Sequence, residues 1–548
     1  MSLHAITLVV MLFGTAPLVY SQGRYAWLYK TIGVVQYVNA HGQLNRYIDI
    51  YQNWPGFFAV AAWFGKVAGV GSPLAYAKWA QLVFELAALP LIYLIYDALS
   101  LSTAQRWVAV LLYSAGNWIG QDYFSPQALG TLLYLGIMAL ALRWLYVDNA
   151  PNPHKRARAR RVDHAHQLAL PQSLPYARRP ALLCLVIALL YFVLTFTHEL
   201  TPYMLAIQLA ALAIARLLRP AWLPFVLAGI AVAYLMPRFA FVNSKYGLLD
   251  SIGNFFRNAA LPSTRVGTSA VSGELFNERC AEALSVGMWG LALAGAWLRR
   301  RSGHTVFALT LLTFSPIILL GVQAYGDEGI LRTYLFSLPW AAALAASALV
   351  AWPASLTRPG AHRATVAAAG ASSPRHRPGL SLLRAPLAVG IAVALFLPAF
   401  FGDDSFNAMP ATEVATLTSF FESARPGPVY CAVDNASVAD TARYNLFPLL
   451  AIFGSTGVAG PGAVKPDIAD VLANEALRYT NDSEPAYILV APSMIAFSQA
   501  YRLTPSRNFI TLLTALAHSR AWKLVVNRAG AVVYELPPNV SPSEFGQG

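Results

Sequence analysis

Charged side chains are scarce in this chain of 548 residues: Asp, Glu, Lys and Arg make up 12% of it, while 57% of the residues are hydrophobic. The mean hydropathy of +0.49 excludes an ordinary soluble globular protein. Apolar stretches long enough to cross a hydrocarbon core of roughly 30 Å recur along the sequence. The chain is therefore predicted to be a polytopic α-helical membrane protein.

Several common catalytic signatures are also missing. The sequence has no zinc-ligand spacing, no glycine loop that cradles phosphates and no Gly-x-Ser-x-Gly turn. No predicted cytoplasmic segment is large enough to form a domain that binds ATP or a nucleotide sugar. An energy-rich substrate would then have to arrive already activated, most simply attached to a lipid. No internal repeat is evident, which disfavours transporters built on repeats.

Only three cysteines occur. Cys184 falls inside an apolar span and is predicted to be a small core residue. Cys280 and Cys431 are both predicted outside the cytoplasm, where a disulfide is permitted, but the sequence does not show that they meet.

Basic residues exceed acidic ones, giving a net charge of +13, but the excess is confined to alternate loops. Loops 147–180 and 354–384 hold seven and five Lys and Arg, whereas the tail from Gly402 holds nine against thirteen Asp and Glu. Short loops rich in Lys and Arg are retained in the cytoplasm, which places the N-terminus there as well. The charge is a topology signal with contact to membrane lipids, and it does not indicate nucleic-acid binding.

About eleven transmembrane helices are predicted. Segment 56–71 is short and glycine-rich and carries Lys66, so it is interpreted as re-entrant or interfacial. Only with that segment excluded do all the arginine runs fall on one side. The first span lacks a basic N-region and is treated as retained rather than cleaved. The predicted spans lie near 4–20, 75–98, 105–120, 126–146, 181–197, 203–218, 221–240, 284–298, 304–322, 333–352 and 385–401.

Two domains are predicted. Residues 1–401 form a transmembrane module, whose outer loop 21–74 carries an amphipathic helix over 25–41 that is expected to lie on the membrane surface. Residues 402–548 have the composition of a water-soluble domain outside the cytoplasm. An α/β fold is indicated there, with strand-like runs at 427–434, 486–493 and 523–536 and helical stretches at 411–424 and 505–521.

The loops on the outer side combine carboxylates with aromatic residues, histidine or a single arginine. Ionisable residues at the ends of membrane spans are candidates for a functional site. Because alternate loops share one face, these loops are expected to lie on the same side of the membrane. They are RYIDIYQNWPG (46–56), QDYFSPQ (121–127), THELTPY (197–203) and YGDEGILRTY (325–334).

This layout resembles the GT-C superfamily of integral membrane glycosyltransferases. The stretches YAWLYKTIGVVQYVNAHGQLNRYIDIYQNWPGFF, THELTPY and LRTYLFSLPW are similar to bacterial members. The resemblance implies a hexosyl- or pentosyltransferase of cell-envelope polysaccharide biosynthesis, which takes a sugar from a polyprenyl-phosphate donor. The acceptor would be a glycan, lipid or protein on the outer face of the cytoplasmic membrane. One departure is that the superfamily's carboxylate usually follows the first span directly, whereas residues 21–37 contain no Asp or Glu.

Such a transfer needs a carboxylate that takes the proton of the acceptor hydroxyl. Asp49 is the predicted base, as the only acid in loop 21–74; the alternative is an Asp that orients the turn before Pro55. Asp122 is a second candidate base, a metal ligand or the N-terminal cap of the following helix. A divalent cation between Asp49 and Asp122 is left open, because neither the spacing nor the ligand set demands one.

The leaving lipid phosphate needs a cation. Arg332 is the predicted phosphate contact, unless it merely pairs with Asp327 or Glu328 at helical spacing. Arg238 is a second candidate, which would otherwise only reach the membrane interface. Substrate contacts are predicted for Tyr51, Trp54, Tyr123, His198, Glu199, Asp327 and Glu328, although aromatic belts and helix-end pairing account for the same residue types.

A transporter or flippase of a lipid-linked glycan is the runner-up function. It would require polar residues deep within the spans, such as Gln81, Glu85 and Gln208.

Overall fold

The computed structural model describes residues 1–147, 180–260, 271–301, 306–326, 328–350, 378–433, 441–454, 457–460 and 462–539. Asp327 therefore lies outside the described residues. The helices of the N-terminal part are α1 (Ser2–Val19), α2 (Ala26–His41), α3 (Gly56–Ala68), α4 (Leu74–Ala77), α5 (Ala80–Ala98), α6 (Thr103–Gly116), α7 (Pro126–Trp144), α8 (Pro180–Thr197), α9 (Thr201–Ile214), α10 (Leu223–Leu235), α11 (Phe239–Tyr246), α12 (Phe255–Asn258), α13 (Ser272–Arg301), α14 (Phe307–Phe314), α15 (Ile318–Val322), α16 (Gly329–Leu349) and α17 (Pro378–Phe401).

A small sheet domain follows α17. Its elements are α18 (Asp404–Asn407), α19 (Ala411–Ser423), β1 (Val429–Val433), β2 (Leu449–Phe453), α20 (Ile468–Thr480), β3 (Ala486–Val490), α21 (Pro492–Tyr501), α22 (Ser506–His518), β4 (Lys523–Arg528) and β5 (Ala531–Leu536). The strand order is β2-β1-β3-β5-β4. β1 is parallel to β2 and β3, with Cys431 opposite Leu489, whereas β5 is antiparallel to β3, with Ile488 opposite Tyr534. The predicted C-terminal α/β domain is confirmed.

Seven helices in the described part of the chain are long and apolar enough to cross a membrane. They correspond to α1, α5, α7, α8, the continuous segment Leu223–Tyr246, α13 and the 383–401 part of α17. The multi-pass membrane character that the composition predicted is confirmed. The number of long spans is smaller than the eleven predicted.

The four remaining predicted spans are helical but differ in length or polarity. α6 and α9 have 14 residues each and so extend about 21 Å, less than the hydrocarbon thickness. The segment Phe307–Val322 is interrupted by a 3-10 turn, Ser315–Ile317. The fourth of them, α16, has 21 residues but carries Arg332 and several hydroxyls. α3 has 13 residues and is too short to cross, as predicted for segment 56–71.

The helical bundle is built around α16. Almost every residue of this helix is buried, because its alanines and serines allow neighbouring helices to approach closely. Its contact with α13 is the tightest example, since Gly295 faces the backbone carbonyl of Leu344.

The amphipathic helix predicted over 25–41 is present, and its apolar face packs against protein. The helix forms as α2 and ends at Gly42, which has a φ of 64°. Its apolar residues, including Tyr29, Ile32 and Val35, are buried. They join one continuous apolar core with α3 and the sheet domain. Helix α2 is therefore a structural layer between the bundle and the C-terminal domain.

The cysteines do not pair with one another within the described residues. Cys280 lies on α13 and Cys431 on β1, both are buried, and no disulfide joins them.

Candidate functional site

A cavity of about 780 Å³ opens between the loops at 45–54 and 117–125 and the ends of α8 and α16. One part of its wall is apolar and comes from α9, α10, α11 and α15. The other end is polar and aromatic. The apolar wall includes Met204, Ile207, Leu235, Val242 and Leu319, and the polar end includes Gln127, His198, Glu199, Tyr325, Glu328 and Arg332.

The four outer motifs of the sequence meet at this cavity. Each of them contributes at least one lining side chain, although the motifs are far apart in the chain. The predicted site residues that line the cavity are Tyr51, Trp54, Tyr123, His198, Glu199, Glu328 and Arg332.

Arg332 and Gln127 form the cationic corner of the cavity. Ser125 caps α7 by accepting from the amide of Ala128, and this places Gln127 in the first helical turn. Arg332 lies one turn into α16, makes an ion pair with Glu328 and donates to Gln127 Oε1. Arg332 Nε and Gln127 Nε2 are buried N–H donors without a hydrogen-bond partner among the described residues. Because unpartnered buried donors cost free energy, this corner is suited to an anion.

His198 is fixed at the junction of α8 and α9. Its Nδ1 accepts from the amides of Leu200, at 3.3 Å, and Thr201, at 3.2 Å. The proton of the neutral ring is therefore on Nε2, which faces Glu199 Oε2 at 3.9 Å. Burial lowers the pKa of His198 despite the neighbouring Glu199, so the ring is neutral at pH 7.

Glu199 is the carboxylate that faces the polar end. Its Oε1 accepts a hydrogen bond from the Tyr325 hydroxyl. Burial acts to raise the pKa of Glu199, but the hydrogen bonds from Tyr325 and from a backbone amide, together with the charge of Arg332, lower it, and His198 adds to this lowering only at acid pH, where its ring is protonated. The pKa of Glu199 is therefore lowered, and the side chain is ionised at neutral pH. Tyr325 adopts a φ of 50°, an uncommon conformation that turns its ring towards this corner.

Asp49 lies beside the cavity and does not line it. Its Oδ1 accepts from the Gln52 amide at 3.1 Å, and its Oδ2 is 3.4 Å from Lys30 Nζ. It thereby orients the chain just before the 3-10 turn Tyr51–Asn53. This geometry is the turn-orienting alternative that the sequence left open.

Asp122 points away from the cavity into a separate buried cluster. Its Oδ1 accepts from Gln81 Nε2 at 2.5 Å, and it shares a hydrogen bond with Glu85. Burial raises the pKa of Asp122, although the hydrogen bonds with Glu85 and Gln81 oppose this effect. Asp122 does not cap α7, because Ser125 occupies that position.

Asp49 and Asp122 thus belong to different clusters. Among the described residues, no group of three His, Cys, Asp or Glu side chains is arranged to hold a metal ion.

Arg238 is also turned away from the cavity. Its guanidinium stacks on the Tyr234 ring at 3.7 Å and donates to the Asn53 carbonyl at 3.2 Å. Tyr234 donates to the same carbonyl at 2.8 Å. Arg238 therefore anchors the end of the loop at 45–54.

Most of the lining residues were not predicted from the sequence, and Gln127, Tyr325 and Trp27 are three of them. Gln127 is the last residue of the motif QDYFSPQ, and Tyr325 is the first residue of YGDEGILRTY. Their closeness in sequence to Asp122 and Glu328 was the signal that could have identified them. Trp27 is half-exposed at the cavity and lies on α2, for which the sequence predicted contact with the membrane surface rather than with a site.

Solved structures of three other proteins share this fold. The archaeal oligosaccharyltransferase AglB from Archaeoglobus fulgidus, in complex with an inhibitory peptide and a dolichol-phosphate, has a TM-score of 0.54 at 13% identity, covering 96% of this chain and 73% of that one. ArnT from Cupriavidus metallidurans, bound to undecaprenyl phosphate, has a TM-score of 0.51 at 13% identity, with 100% and 99% coverage.

The arabinofuranosyltransferase AftD from Mycobacteria has a TM-score of 0.52 at 13% identity, covering 98% of this chain and 42% of that one. At these identities the likeness is one of fold alone. No family model and no curated protein matches the sequence.

Proposed function

We propose that this protein is a glycosyltransferase that moves a sugar from a polyprenyl-phosphate donor to an acceptor, and that the reaction takes place in the 780 Å³ cavity. One observation carries the proposal. The cavity joins an apolar wall to a buried arginine–glutamine corner whose N–H donors at Arg332 and Gln127 lack partners. A lipid phosphate has the matching chemistry, an apolar chain that ends in an anion. Undecaprenyl phosphate and dolichol-phosphate in the ArnT and AglB structures support this choice.

The phosphate is assigned to Arg332 and Gln127. As the bond between the anomeric carbon and the phosphate oxygen breaks, the electron pair stays on the phosphate, and the two N–H donors stabilise it. Arg332 is suited to this task because its planar fork binds two phosphate oxygens at once.

The proton acceptor is assigned to Glu199. It is ionised at neutral pH, lies in the same polar end as Arg332 and has its second oxygen close to the neutral His198. The acceptor hydroxyl would bond to the anomeric carbon and lose its proton to this carboxylate. Asp49, the base that the sequence favoured, is engaged by Lys30 and the Gln52 amide instead.

The sugar is assigned to the aromatic part of the polar end. Tyr51, Trp54 and Tyr123 line the cavity there, and the Nε2–H of His198 is available as a donor. We infer the topology from the basic loops: the N-terminus lies in the cytoplasm and the C-terminal domain outside it. The cavity would then open towards the outer face of the cell membrane.

A single pair of variants tests the base assignment. Purified protein in nanodiscs is given undecaprenyl-phosphate-linked sugars, and release of undecaprenyl phosphate is measured with and without candidate acceptors. Glu199→Gln is expected to lower the rate by about 10²–10⁴-fold, as is typical for loss of general-base catalysis. Asp49→Asn keeps the bond to the Gln52 amide and is expected to lower it by roughly tenfold at most. The reverse ranking would place the base at Asp49.

A further inference from the structure

Tyr444, a residue of the C-terminal sheet domain, reaches the loop that forms one side of the cavity. It begins the 3-10 turn Tyr444–Leu446 between β1 and β2 and is 4% exposed. Gln52 Nε2 donates to its hydroxyl at 3.1 Å. Lys30 Nζ lies 4.0 Å above the centre of its ring. The sheet domain thereby touches both α2 and the loop at 45–54.

Gln52 connects this contact to the cavity. Its amide donates to Asp49 and its Oε1 accepts from the amide of Asn45 at 3.2 Å, so the side chain ties the loop together. The neighbouring Tyr51 and nearby Trp54 belong to the same short turn and line the cavity. Moving Gln52 would therefore move the aromatic wall of the cavity.

The opposite side of the loop is held by the bundle. Tyr234 and Arg238 bind the carbonyl of Asn53, and the amide of Ile50 donates to the Tyr246 hydroxyl at 3.0 Å. The loop at 45–54 thus lies between the helical bundle and the sheet domain, and Tyr444 is part of the contact that the sheet domain makes. Burial and the nearby charge of Asp49 raise the pKa of Tyr444, so its hydroxyl keeps its proton at neutral pH.

We propose that Tyr444 is a positioning residue, through which the C-terminal domain fixes the loop that carries Tyr51 and Trp54 to the cavity. The kinetic consequence rests on the proposed transferase function, whereas the structural consequence does not. An acceptor that engages the C-terminal domain would thereby act on the aromatic wall without touching it.

Hydrogen exchange of the full-length protein in nanodiscs tests the structural part. Tyr444→Phe and Gln52→Leu each remove the bond between the domain and the loop, and backbone amides in 45–54 are expected to exchange about fivefold faster. Tyr479→Phe is the matched control, because this tyrosine of α20 is 51% exposed and distant from the contact. Because Gln52 also accepts from the Asn45 amide within the loop, Tyr444→Phe is the deciding variant, and unchanged exchange in it would overturn the proposal.

Kinetics test the functional part. Tyr444→Phe is expected to lower kcat for sugar transfer about fivefold while leaving the Kd for undecaprenyl phosphate unchanged, because Arg332 and Gln127 lie on α16 and α7. A positioning role would be refuted if the Kd for undecaprenyl phosphate rose by the same factor as kcat fell, or if kcat did not change. If the wild-type protein transfers no polyprenyl-linked sugar, the proposed function fails, and the exchange experiment still decides whether Tyr444 holds the loop.

Discussion

At the scale of single residues, the two arginines that the sequence proposed for phosphate binding have different surroundings. Arg332 faces the cavity with an unpartnered Nε, whereas Arg238 stacks on Tyr234 and binds a backbone carbonyl. Arg332→Lys keeps the charge but loses the planar fork, so the Kd for undecaprenyl phosphate should rise about tenfold or more. Binding of the labelled lipid to protein in nanodiscs measures this change.

Arg238→Lys is the matched control for that experiment. It is expected to change the Kd by roughly threefold at most, because a lysine retains a donor for the Asn53 carbonyl and no lipid contact is lost. Equal weakening in both variants would contradict the assignment of the phosphate to Arg332.

Residue types near the site were predictable from the sequence, but the direction of each side chain was not. Sorting loops by charge selected Glu199, Arg332 and Trp54, which line the cavity. The same sorting ranked Asp49 first, since it is the only acid of its loop. Its bond to the Gln52 amide depends on a single turn of 3-10 helix, in which adjacent side chains point about 120° apart, so Tyr51 can line the cavity while Asp49 does not.

At the scale of elements, the contact between α13 and α16 depends on one glycine. A Cβ on Gly295 would stand 1.8 Å from the carbonyl oxygen of Leu344, which is backbone and cannot rotate away. Gly295→Ala is therefore expected to destabilise the protein by about 1–3 kcal/mol, the usual range for overpacking. Thermal unfolding in detergent should show a melting temperature several degrees lower.

Gly290→Ala on the same helix provides the comparison. A Cβ there meets nothing within 4 Å, and alanine favours helix more than glycine does. Its melting temperature should equal or exceed that of the wild type. A Gly295→Ala protein as stable as this control would show that α13 and α16 are not packed as closely as described.

Hydropathy predicted where helices occur better than it predicted how long they are. The short α6 ends at Asn117, whose side-chain Nδ2 donates to Glu85 Oε1 of α5. The buried α16 fails as an apolar span because it carries Arg332 and several hydroxyls, yet neighbouring helices cover it on every side. Hydropathy averaged along the sequence shows neither the early end of α6 nor the burial of α16, since both depend on contacts with other helices.

At the scale of the whole molecule, strand-like runs in the sequence predicted β1, β3, β4 and β5 of the sheet domain but not β2. The union of that domain with α2 and α3 was not predictable. It depends on contacts such as Lys30 with Tyr444, which are separated by hundreds of residues. An apolar helix face in the sequence is equally compatible with lipid and with a second domain, so α2 was assigned to the membrane surface.

The junction between the bundle and the sheet domain should make stability depend on pH. The amide of Val271, next to α13, donates to the Ala500 carbonyl of α21 at 3.0 Å, and Phe406 packs on Phe497 at 5.3 Å. Asp403 lies at this junction. Burial, followed by the hydrogen bond and charge of Glu274, raises the pKa of Asp403 from 3.8 to about 8.

A raised pKa in the folded state means that the folded protein holds a proton that the unfolded chain has lost. Between pH 4 and 8 the free energy of unfolding contributed by Asp403 should therefore fall as pH rises, and it should level off above pH 8. Asp403→Asn mimics the protonated form, so the gap in melting temperature between variant and wild type should widen from pH 5 to pH 8 in favour of the variant. Carboxylates that do not interact with Asp403 titrate equally in both proteins and cancel in that difference, whereas Glu274, its hydrogen-bond partner, contributes to the same pH-dependent gap. A gap that stays constant with pH would show that Asp403 is ionised in the folded protein throughout this range.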